Sequence, residues 1–550
     1  MKTYFVLIIC FFQVVLLQAQ APNEHPKLVV GIVVDQMRQD YLFRYYDKYG
    51  SGGFKRLMNQ GFMCRNAHYN YVPTETAPGH ASIYTGTTPA HHGIVANEWF
   101  EAGKRRYCAE DSTVTAIGST NPAGARSPRN MVVPTFGDLL KLSNNGKTRV
   151  FGVSLKDRGA ILPAGHTANG AFWYDGLSGK FITSSYYMKE LPVWVQKFND
   201  QKWADQYLSK NWETLLPIAQ YTESQSDDNN YEQLLPSKQK PTFPYNLKEI
   251  STQATKGQLK TPTYDILTST PFGNTIVNQF AQLMAKEENL GKTAFTDVLA
   301  ISFSSTDIIG HAFGPQSIEV EDTYLRLDQE IESLLNFLDR QVGAGNYVLF
   351  LSADHGGVYT PRYLQDTKLP GGYLQMKKHF EELKKHLQTK YGEGEWIANS
   401  GDKEVYLNNS LIQSKKLNLR EVQEEVAQFM RTREGIYDAF TAYQMEQENY
   451  TQGVRQLVQN GHYHRRSPDI VITHQSGWLN EGWQRGGTSH GTPFAYDTQI
   501  PVLFYGWKIP ASKSTVRKVN ITDIAPTVSM LLNTQLADGT TGQPILEIFE

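Results

Sequence analysis

The stretch KLVVGIVVDQM, residues 27–37, decides the fold class. Its nearly continuous run of apolar, β-branched residues predicts a strand that is covered on both faces, as in a parallel sheet. Two later runs, DVLAISFSSTD (297–307) and NYVLFLSADHGG (346–357), repeat the pattern, and each of the three runs gives way to an aspartate. We therefore predict an α/β fold with a mostly parallel central sheet flanked by helices.

Asp35, Asp307 and Asp354 stand at or just beyond the carboxyl ends of these predicted strands. Taken singly, each aspartate is equally well explained as a turn residue or a helix cap. Ligands of open α/β sheets bind outside the carboxyl ends of the strands. Three aspartates in corresponding positions therefore favour a binding site at that edge of the sheet.

Helical patterns lie between and after the strands. Residues 318–342 carry Leu and Ile at three- and four-residue spacing, and the charged residues between them predict a solvated face. Residues 520–533 predict a capped helix, with Thr522 or Asp523 as the cap and Pro526 in the first turn.

Two segments do not fit a compact sheet and are predicted to be insertions. Residues 191–275, the first insertion, are rich in Trp, Gln, Asn and Pro and show no clear periodicity. Residues 358–485, the accessory segment, contain a Lys-rich helix pattern at 376–391 and a strand-like KEVYLNN. The predicted core therefore consists of residues 27–190, 276–357 and 486–550.

The amino terminus predicts export. Lys2 precedes an apolar run that ends in small residues around Ala19 and Ala21, which is the layout of a secretory signal peptide over residues 1–19. The alternative is an uncleaved anchor, but the run is nearer about 15 than about 20 residues and is short for a spanning helix. The mature chain is expected to begin near Gln20.

Cysteine content and charge set further limits. After signal removal, Cys64 and Cys108 remain, and they could form a disulfide or be two buried thiols. The formal net charge is −2, with acidic and basic residues interspersed and no basic block. The sequence therefore gives no reason to expect a specific nucleic-acid partner.

Six side chains form a candidate metal-binding set. Oxygen and nitrogen donors of this kind suit zinc, at three or four ligands per ion, so six of them favour two neighbouring ions. The DxxxH and DH spacings support five of the six, and His490 is the least secure on spacing. The candidate ligands are Asp35, Asp307, His311, Asp354, His355 and His490.

A two-metal site that acts at phosphorus also needs a nucleophile, either a metal-bound hydroxide or a side-chain alkoxide. The stretch VPTETAPGHASIYTG (72–86) offers the second. Thr76 lies just before Pro78 and Gly79, where the chain is predicted to turn into a helix starting near His80. Its hydroxyl would then sit at a helix N-terminus, which favours anions.

An ordered series of motifs resembles a known family. In chain order they are Asp35, PTETAPGH, PAHHGIVANEW, SLKDRGAILPAGH, STDIIGHAFGP, SADHGG, TSHGT and TDIAPTVSMLL. The chain resembles the alkaline phosphatase superfamily, and most of all its phosphate-irrepressible periplasmic branch, the PafA type. The resemblance runs from about residue 27 to the end of the chain.

The resemblance implies a role for each ligand and hydroxyl of these motifs. One zinc would be held by Asp307, His311 and His490, and the other by Asp35, Asp354, His355 and the hydroxyl of Thr76. Thr76 would be the nucleophile and would form a phosphothreonine. Of the other side chains in its stretch, Thr74 is expected to end a strand, Ser82 and Thr85 to bond to helix backbone, and His80 to be structural.

Three further residues bear on the substrate class. The resemblance implies that Asn97, Lys156 and Arg158 contact the phosphoryl oxygens, with the lysine standing where other superfamily members place a third metal ion. The related nucleotide pyrophosphatase/phosphodiesterases lack the Lys-x-Arg pair. A monoester carries more negative charge than a diester, so a lysine and an arginine favour monoesters.

We therefore expect an exported, periplasmic, monomeric zinc enzyme that hydrolyses a broad range of phosphate monoesters. A phosphodiesterase of the same fold remains an alternative if Lys156 and Arg158 point away from the site. A non-enzymatic metal- or glycan-binding protein is a further alternative. A sulfatase is disfavoured because the chain lacks the C-x-P-x-R setting of that branch.

Overall fold

A ten-stranded sheet forms the centre of the structure. The computed structural model describes residues 25–101, 103–235, 238–257 and 262–550, so the predicted signal peptide lies outside the described residues. From one edge to the other, the strands are Lys513–Thr515, Phe62–Cys64, Val502–Gly506, Tyr347–Ser352, Leu28–Val34, Asp297–Phe303, Val150–Ser154, Gly170–Asp175, Lys180–Ser184 and Ala116–Ile117.

The middle of this sheet is parallel. Leu28–Val34 pairs in parallel with a strand on each side, and every one of its residues is buried. Burying a Val, Leu or Ile side chain of this kind contributes about 1.5–3 kcal/mol relative to leaving it exposed. The predicted α/β class, with a mostly parallel sheet flanked by helices, is confirmed.

The register aligns the carboxyl ends of the parallel strands. Val33 lies opposite Ser302 on one side and Ser352 on the other, and Ser302 in turn lies opposite Ser154. Residues that follow these strands therefore emerge at the same edge of the sheet.

Helices occur both in the core, where they flank the sheet, and within the inserted segments. Those of eight or more residues are Thr76–Thr85, Phe136–Ser143, Asp157–Ala164, Val193–Asp200, Leu247–Thr255, Phe272–Glu287, Ser305–Phe313, Ile318–Leu338, Met376–Tyr391, Leu419–Arg431, Gly453–Gly461 and Ile524–Leu531. The predicted helices at 376–391 and near the carboxyl terminus are present, the latter with Asp523 as N-cap and Pro526 in its first turn. Among the described residues, no helix has the length and apolarity needed to cross a membrane.

The helix Ile318–Leu338 differs from its sequence prediction. It ends earlier than residue 342, in a π turn over Asp339–Gly343, and its acidic face is buried rather than solvated. Asp322, which is fully buried, accepts hydrogen bonds from Trp212 Nε1 at 2.8 Å and Tyr221 Oη at 2.6 Å. The prediction of a solvated face was wrong because the first insertion covers Asp322, and the core segment that contains Gly50 and Phe54 covers Asp328.

The first insertion packs against the core through that helix. It contains the helices Val193–Asp200, Trp203–Leu208 and Leu247–Thr255, and a two-stranded ladder that pairs Trp212 with Tyr245. Tyr245 donates a hydrogen bond to Glu319 Oε1 at 2.6 Å. Buried acids of the core helix thus act as acceptors for the aromatic donors of the insertion.

The accessory segment has its own sheet and its own apolar cluster. Its four antiparallel strands lie in the order Ile397–Gly401, Glu404–Leu407, Ile470–His474 and Ile436–Thr441. The helices Met376–Tyr391 and Leu419–Arg431 contribute Leu383, Leu387, Val422 and Val426 to a core that is separate from that of the main sheet.

Cys64 and Cys108 are free and buried. Of the two arrangements that the sequence left open, the structure has the unpaired thiols. Burial raises the pKa of Cys64 to about 12, so this thiol stays protonated at neutral pH.

Replacing Asp322 with Ala is expected to destabilise the protein by about 3–5 kcal/mol, because it leaves buried donors and the Arg326 guanidinium without their acceptor. Urea denaturation followed by circular dichroism measures the loss. The matched control, Gln329→Ala, changes an exposed residue of the same helix and should cost less than about 0.5 kcal/mol. Equal losses in the two variants would contradict this account.

Candidate active site

The aligned strand ends bring the predicted ligands together. Asp35 follows Leu28–Val34, and Asp354 with His355 follows Tyr347–Ser352. Asp307 and His311 lie four residues apart on the helix Ser305–Phe313, so both project from one face of it.

The first cluster consists of Asp307, His311 and His490, whose donor atoms lie within 4.8 Å of one another. Asp307 Oδ1 is 3.2 Å from His311 Nε2 and 3.9 Å from His490 Nε2. His490, which the sequence supported least by spacing, therefore reaches the same carboxylate oxygen as His311.

The second cluster consists of Asp35, Asp354 and His355. His355 Nε2 lies 3.5 Å from Asp35 Oδ1 and 3.8 Å from Asp354 Oδ2. Asp307 also lies within 4.8 Å of Asp35 and His355, and the rings of His355 and His490 stack with centroids 3.5 Å apart. The two clusters are thus immediate neighbours.

Each of the three histidines is oriented through its Nδ1 atom. The backbone carbonyls that Nδ1 contacts are those of Thr488 for His311 at 2.8 Å, Thr74 for His490 at 2.7 Å and Gly356 for His355 at 2.9 Å. This arrangement directs Nε2 toward the clusters, as is usual for metal-ligating histidine. Burial lowers the pKa of His355 and of His490, which favours the neutral imidazole that binds metals.

The donor set fits metal ions. Asp35 Oδ1, Asp354 Oδ2 and His355 Nε2 are buried and have no hydrogen-bond partner among the described residues. Burial, together with the neighbouring Asp35, raises the pKa of Asp354 well above its usual range. Buried polar atoms without partners are costly, and cations at these positions would satisfy them. Carboxylate oxygens with imidazole nitrogens, three per cluster, are a set that zinc accepts.

Lys156 bridges the two clusters. Its ammonium nitrogen lies 2.6 Å from Asp35 Oδ2 and 2.6 Å from Asp307 Oδ2. Burial lowers the pKa of Lys156, but Asp307 and Asp35 outweigh that effect and raise it, so the group remains a cation. Its contact with phosphoryl oxygens stays a prediction.

Thr76 is the first residue of the helix Thr76–Thr85, which begins four residues before the predicted start near His80. The helix approaches the second cluster closely, because a Cβ atom on Gly79 would lie only 2.6 Å from the carbonyl oxygen of Asp354. A larger residue at position 79 would push the helix away from Asp354. Gly79 therefore allows the helix N-terminus that carries Thr76 to lie beside this cluster.

His80 has the contacts of a structural residue. Its ring nitrogens contact the Thr76 carbonyl at 2.8 Å and Ser302 Oγ at 2.9 Å, and Nδ1 lies 3.4 Å from Asp354 Oδ2. Burial lowers the pKa of His80 to about 4, so the ring is neutral near pH 7. Its hydrogen bonds brace the first turn of the helix.

The remaining hydroxyls of the stretch differ in part from expectation. Thr85 donates to the Ala81 carbonyl at 2.8 Å, as predicted. Ser82 instead contacts His92 Nε2 at 2.9 Å, and Thr74 lies in a loop rather than at a strand end. Those two predictions were wrong because the Ser82 hydroxyl contacts a buried histidine instead of the backbone, and because the preceding strand ends before residue 74.

Asn97 is held by hydrogen bonds to the two residues that flank Thr76 in the chain. Its side-chain oxygen accepts a hydrogen bond from Ala77 N at 2.9 Å, and its own N–H donates to Glu75 Oε2 at 2.9 Å. The Asn97 amide is thereby held next to the first turn of the helix.

Arg158 retains unused hydrogen-bonding capacity. Nη1 donates to Tyr107 Oη at 3.2 Å, whereas Nε is buried and has no partner among the described residues. Arg158 and Asn97 line a cavity of about 530 Å³, together with Glu75 of the core and Lys403 of the accessory segment. A buried guanidinium donor beside such a cavity is suited to an anion.

Two residues of the site escaped sequence reasoning. Gln36 donates from its backbone N–H to Asp354 Oδ1 at 3.1 Å and from Nε2 to Asp307 Oδ1 at 2.6 Å, so it holds one aspartate of each cluster. Tyr107 orients Arg158 from a short hairpin. The position of Gln36 directly after Asp35 was a sequence signal that could have identified it. No sequence signal pointed to Tyr107.

Comparisons with known proteins show the family of the chain. The model of the type I phosphodiesterase / nucleotide pyrophosphatase family matches residues 29–493. Alkaline phosphatase PafA of Elizabethkingia meningoseptica is 45% identical over 540 residues, which cover 97% of this chain and 96% of that protein. The solved structure of wild-type PafA superposes with a TM-score of 0.90 at 44% identity, covering 96% of this chain and 99% of that one.

The chain belongs to the PafA-type branch of the alkaline phosphatase superfamily. It is therefore an enzyme of the alkaline phosphatase type. Names within this group vary, since a relative from Myroides odoratus is called a calcium-transporting ATPase. That relative is 42% identical over 553 residues, covering 100% of this chain and 99% of its own.

Replacing Lys156 with Met is expected to destabilise the metal-free protein by about 3–5 kcal/mol, because Asp35 and Asp307 lose their shared cation. Zinc would neutralise the same carboxylates, so the loss should be smaller in zinc-loaded protein. Urea denaturation with and without zinc measures both values, and Lys147→Met, at an exposed lysine, is the control. A loss that zinc leaves unchanged would contradict the bridging role.

Proposed function

We propose that this chain is an exported, zinc-dependent alkaline phosphatase that hydrolyses a broad range of phosphate monoesters through a phosphothreonine at Thr76. The proposal includes removal of residues 1–19, action in the periplasm and a monomeric state. The relative named alkaline phosphatase PafA, similar along nearly its whole length, supports the reaction class. The observation that supports the proposal is that Thr76 begins a helix whose Gly79 packs closely against Asp354, with the Asn97 side chain hydrogen-bonded to the next residue, Ala77.

Thr76 would act in two displacements. Its side-chain oxygen attacks phosphorus, the bond to the leaving alcohol breaks, and that alcohol departs with a proton. Water then attacks the phosphothreonine, which restores the Thr76 hydroxyl and releases inorganic phosphate. The N-terminus of the helix carries a partial positive charge that favours the developing negative charge at this position.

Two zinc ions fit the site. One would be held by Asp307, His311 and His490, and the other by Asp35, Asp354, His355 and Thr76. Zinc in such sites lowers the pKa of bound hydroxyl groups and stabilises the attacking and leaving oxygens.

Asn97, Lys156 and Arg158 would bind the phosphoryl oxygens and orient them. Phosphoryl transfer depends mainly on positioning and on electrostatic stabilisation of these oxygens. Asn97 is fixed by Ala77 and Glu75, and the buried Nε of Arg158 has a hydrogen bond still to give.

The Lys156 and Arg158 pair favours monoesters over diesters. A monoester presents two negative charges and three non-bridging oxygens, whereas a diester presents one charge and two such oxygens. A fork-shaped guanidinium therefore finds more to bind in a monoester. The contacts of Lys156 with Asp35 and Asp307 support its part in this assignment, and the place of Arg158 beside Asn97 in the lining of one cavity supports the other.

The test compares kcat/KM for an aryl phosphate monoester with that for its methyl diester, using zinc-loaded protein. The wild-type ratio should be far above one. Arg158→Ala should lower kcat/KM for the monoester by about 10²–10³-fold, the usual effect of losing one transition-state hydrogen-bond donor. The diester should lose much less, because it has fewer oxygens to present.

Arg340→Ala, at an exposed arginine, is the matched control and should leave both values unchanged. A wild-type ratio below one would favour the diesterase alternative. No turnover of either ester with zinc bound would favour a binding protein instead. Equal losses for both esters in Arg158→Ala would contradict the role of this arginine in selecting monoesters.

A further inference from the structure

We propose that Lys403, in the accessory segment, is a positioning residue that fixes the metal ligand His490 and the chain around Thr76. The inference rests on the proposed function, because it concerns zinc bound at the first cluster. It makes the accessory segment a working part of the site rather than a cap beside it.

The primary contact joins Lys403 to the loop that carries His490. Its Nζ donates to the backbone carbonyl of His490 at 2.7 Å. The next residue is Gly491, with φ of +104°, and a Cβ atom there would lie 2.1 Å from Lys403 Nζ. Glycine at 491 thus leaves the space that the ammonium occupies.

A second set of contacts leads from Lys403 to the nucleophile. Nζ lies 3.9 Å from Glu75 Oε1, and the other oxygen of Glu75 accepts from Asn97 N at 2.9 Å. His490 Nδ1 contacts the Thr74 carbonyl at 2.7 Å. The Lys403 ammonium therefore contacts both the His490 backbone and Glu75, the residue immediately before Thr76. His490 and Thr74 are in turn joined by their own hydrogen bond.

The backbone at Lys403 is held by hydrogen bonds to the accessory sheet. Its carbonyl accepts from Ile472 N at 2.8 Å, and the carbonyl of Asp402 contacts His474 Nε2 at 3.0 Å. Ile472 and His474 belong to a buried strand of the accessory sheet. Lys403 therefore links that sheet to the His490 loop.

Losing the ammonium should act on one metal position more than on the other. His490 belongs to the first cluster, while Asp35, Asp354 and His355 of the second cluster have no contact with Lys403. Loss of a group that orients a metal ligand typically costs about 10–100-fold in metal affinity or activity. We expect the first-cluster zinc, which loses the support of His490, to be held more weakly, and the second-cluster zinc to be affected much less.

The experiment measures zinc release from the zinc-loaded enzyme into a chromogenic chelator. Lys403→Met, which keeps the length of the side chain but not its charge, should release one of two zinc equivalents at least about tenfold faster than wild type. It should also lower kcat more than it changes KM. Lys403→Arg, which keeps a cationic donor, should recover most of the wild-type rate.

Lys384→Met, at an exposed lysine of the same segment, is the control and should match wild type. If Lys403→Met does not fold, Lys403→Gln tests the same contact, because it also removes the ammonium. Zinc release and kcat at wild-type values would overturn the inference, and so would equal acceleration of both equivalents, which indicates general destabilisation. An inactive wild-type enzyme that binds no zinc would refute the proposed function itself.

Discussion

The structure depends on the concentration of negative charge at one edge of a buried parallel sheet. The register of three strands places Asp35, Asp307 and Asp354 together in a region of low dielectric. Like charges at such a place repel strongly unless cations lie between them. Lys156 supplies one cation, and the unpartnered carboxylate oxygens indicate where metal ions would supply more. The chemistry of the site follows from this requirement.

Both inserted segments contact the chain around the metal-ligand clusters. In the first insertion, the carbonyl of Tyr231 accepts from Gly487 N at 2.7 Å, and Gln233 N donates to the Ala312 carbonyl at 2.8 Å. These contacts brace the chain next to His311 and the loop that leads to His490. The accessory segment reaches the same loop through Lys403. The ligand contributed from farthest along the chain thus has support from both insertions.

Much of the fold was readable from the sequence because buried parallel strands produce long apolar runs. The three runs ending near Asp35, Asp307 and Asp354 lie where predicted, and the ordered motifs agree with the family of the chain. The acidic face of helix 318–338 was misread, because a charged stripe looks the same whether water or another segment covers it. Asp322 accepts hydrogen bonds from Trp212 and Tyr221, and Glu319 Oε1 accepts one from Tyr245, aromatic residues whose proximity has no local sequence signal.

Site residues divide in the same way. Those that directly follow strands, or that belong to a motif, were predicted from the sequence, and the structure brings the six candidate metal ligands together. Gln36 and Lys403 act through contacts to groups that are remote along the chain, Asp307 for the first and His490 for the second. Gly491 likewise lies against the Lys403 ammonium, which is remote along the chain. Such positions are set by packing between segments, which composition and spacing do not encode.

The central claim is that Thr76 becomes covalently phosphorylated during turnover. The most direct measurement is peptide mass spectrometry of zinc-loaded protein that is mixed with an aryl phosphate and quenched in acid within milliseconds. The account predicts one phosphate on the peptide that contains Thr76, and none at that site in Thr76→Ala, which should still bind zinc. Phosphate on a different residue, or wild-type turnover by Thr76→Ala, would contradict it.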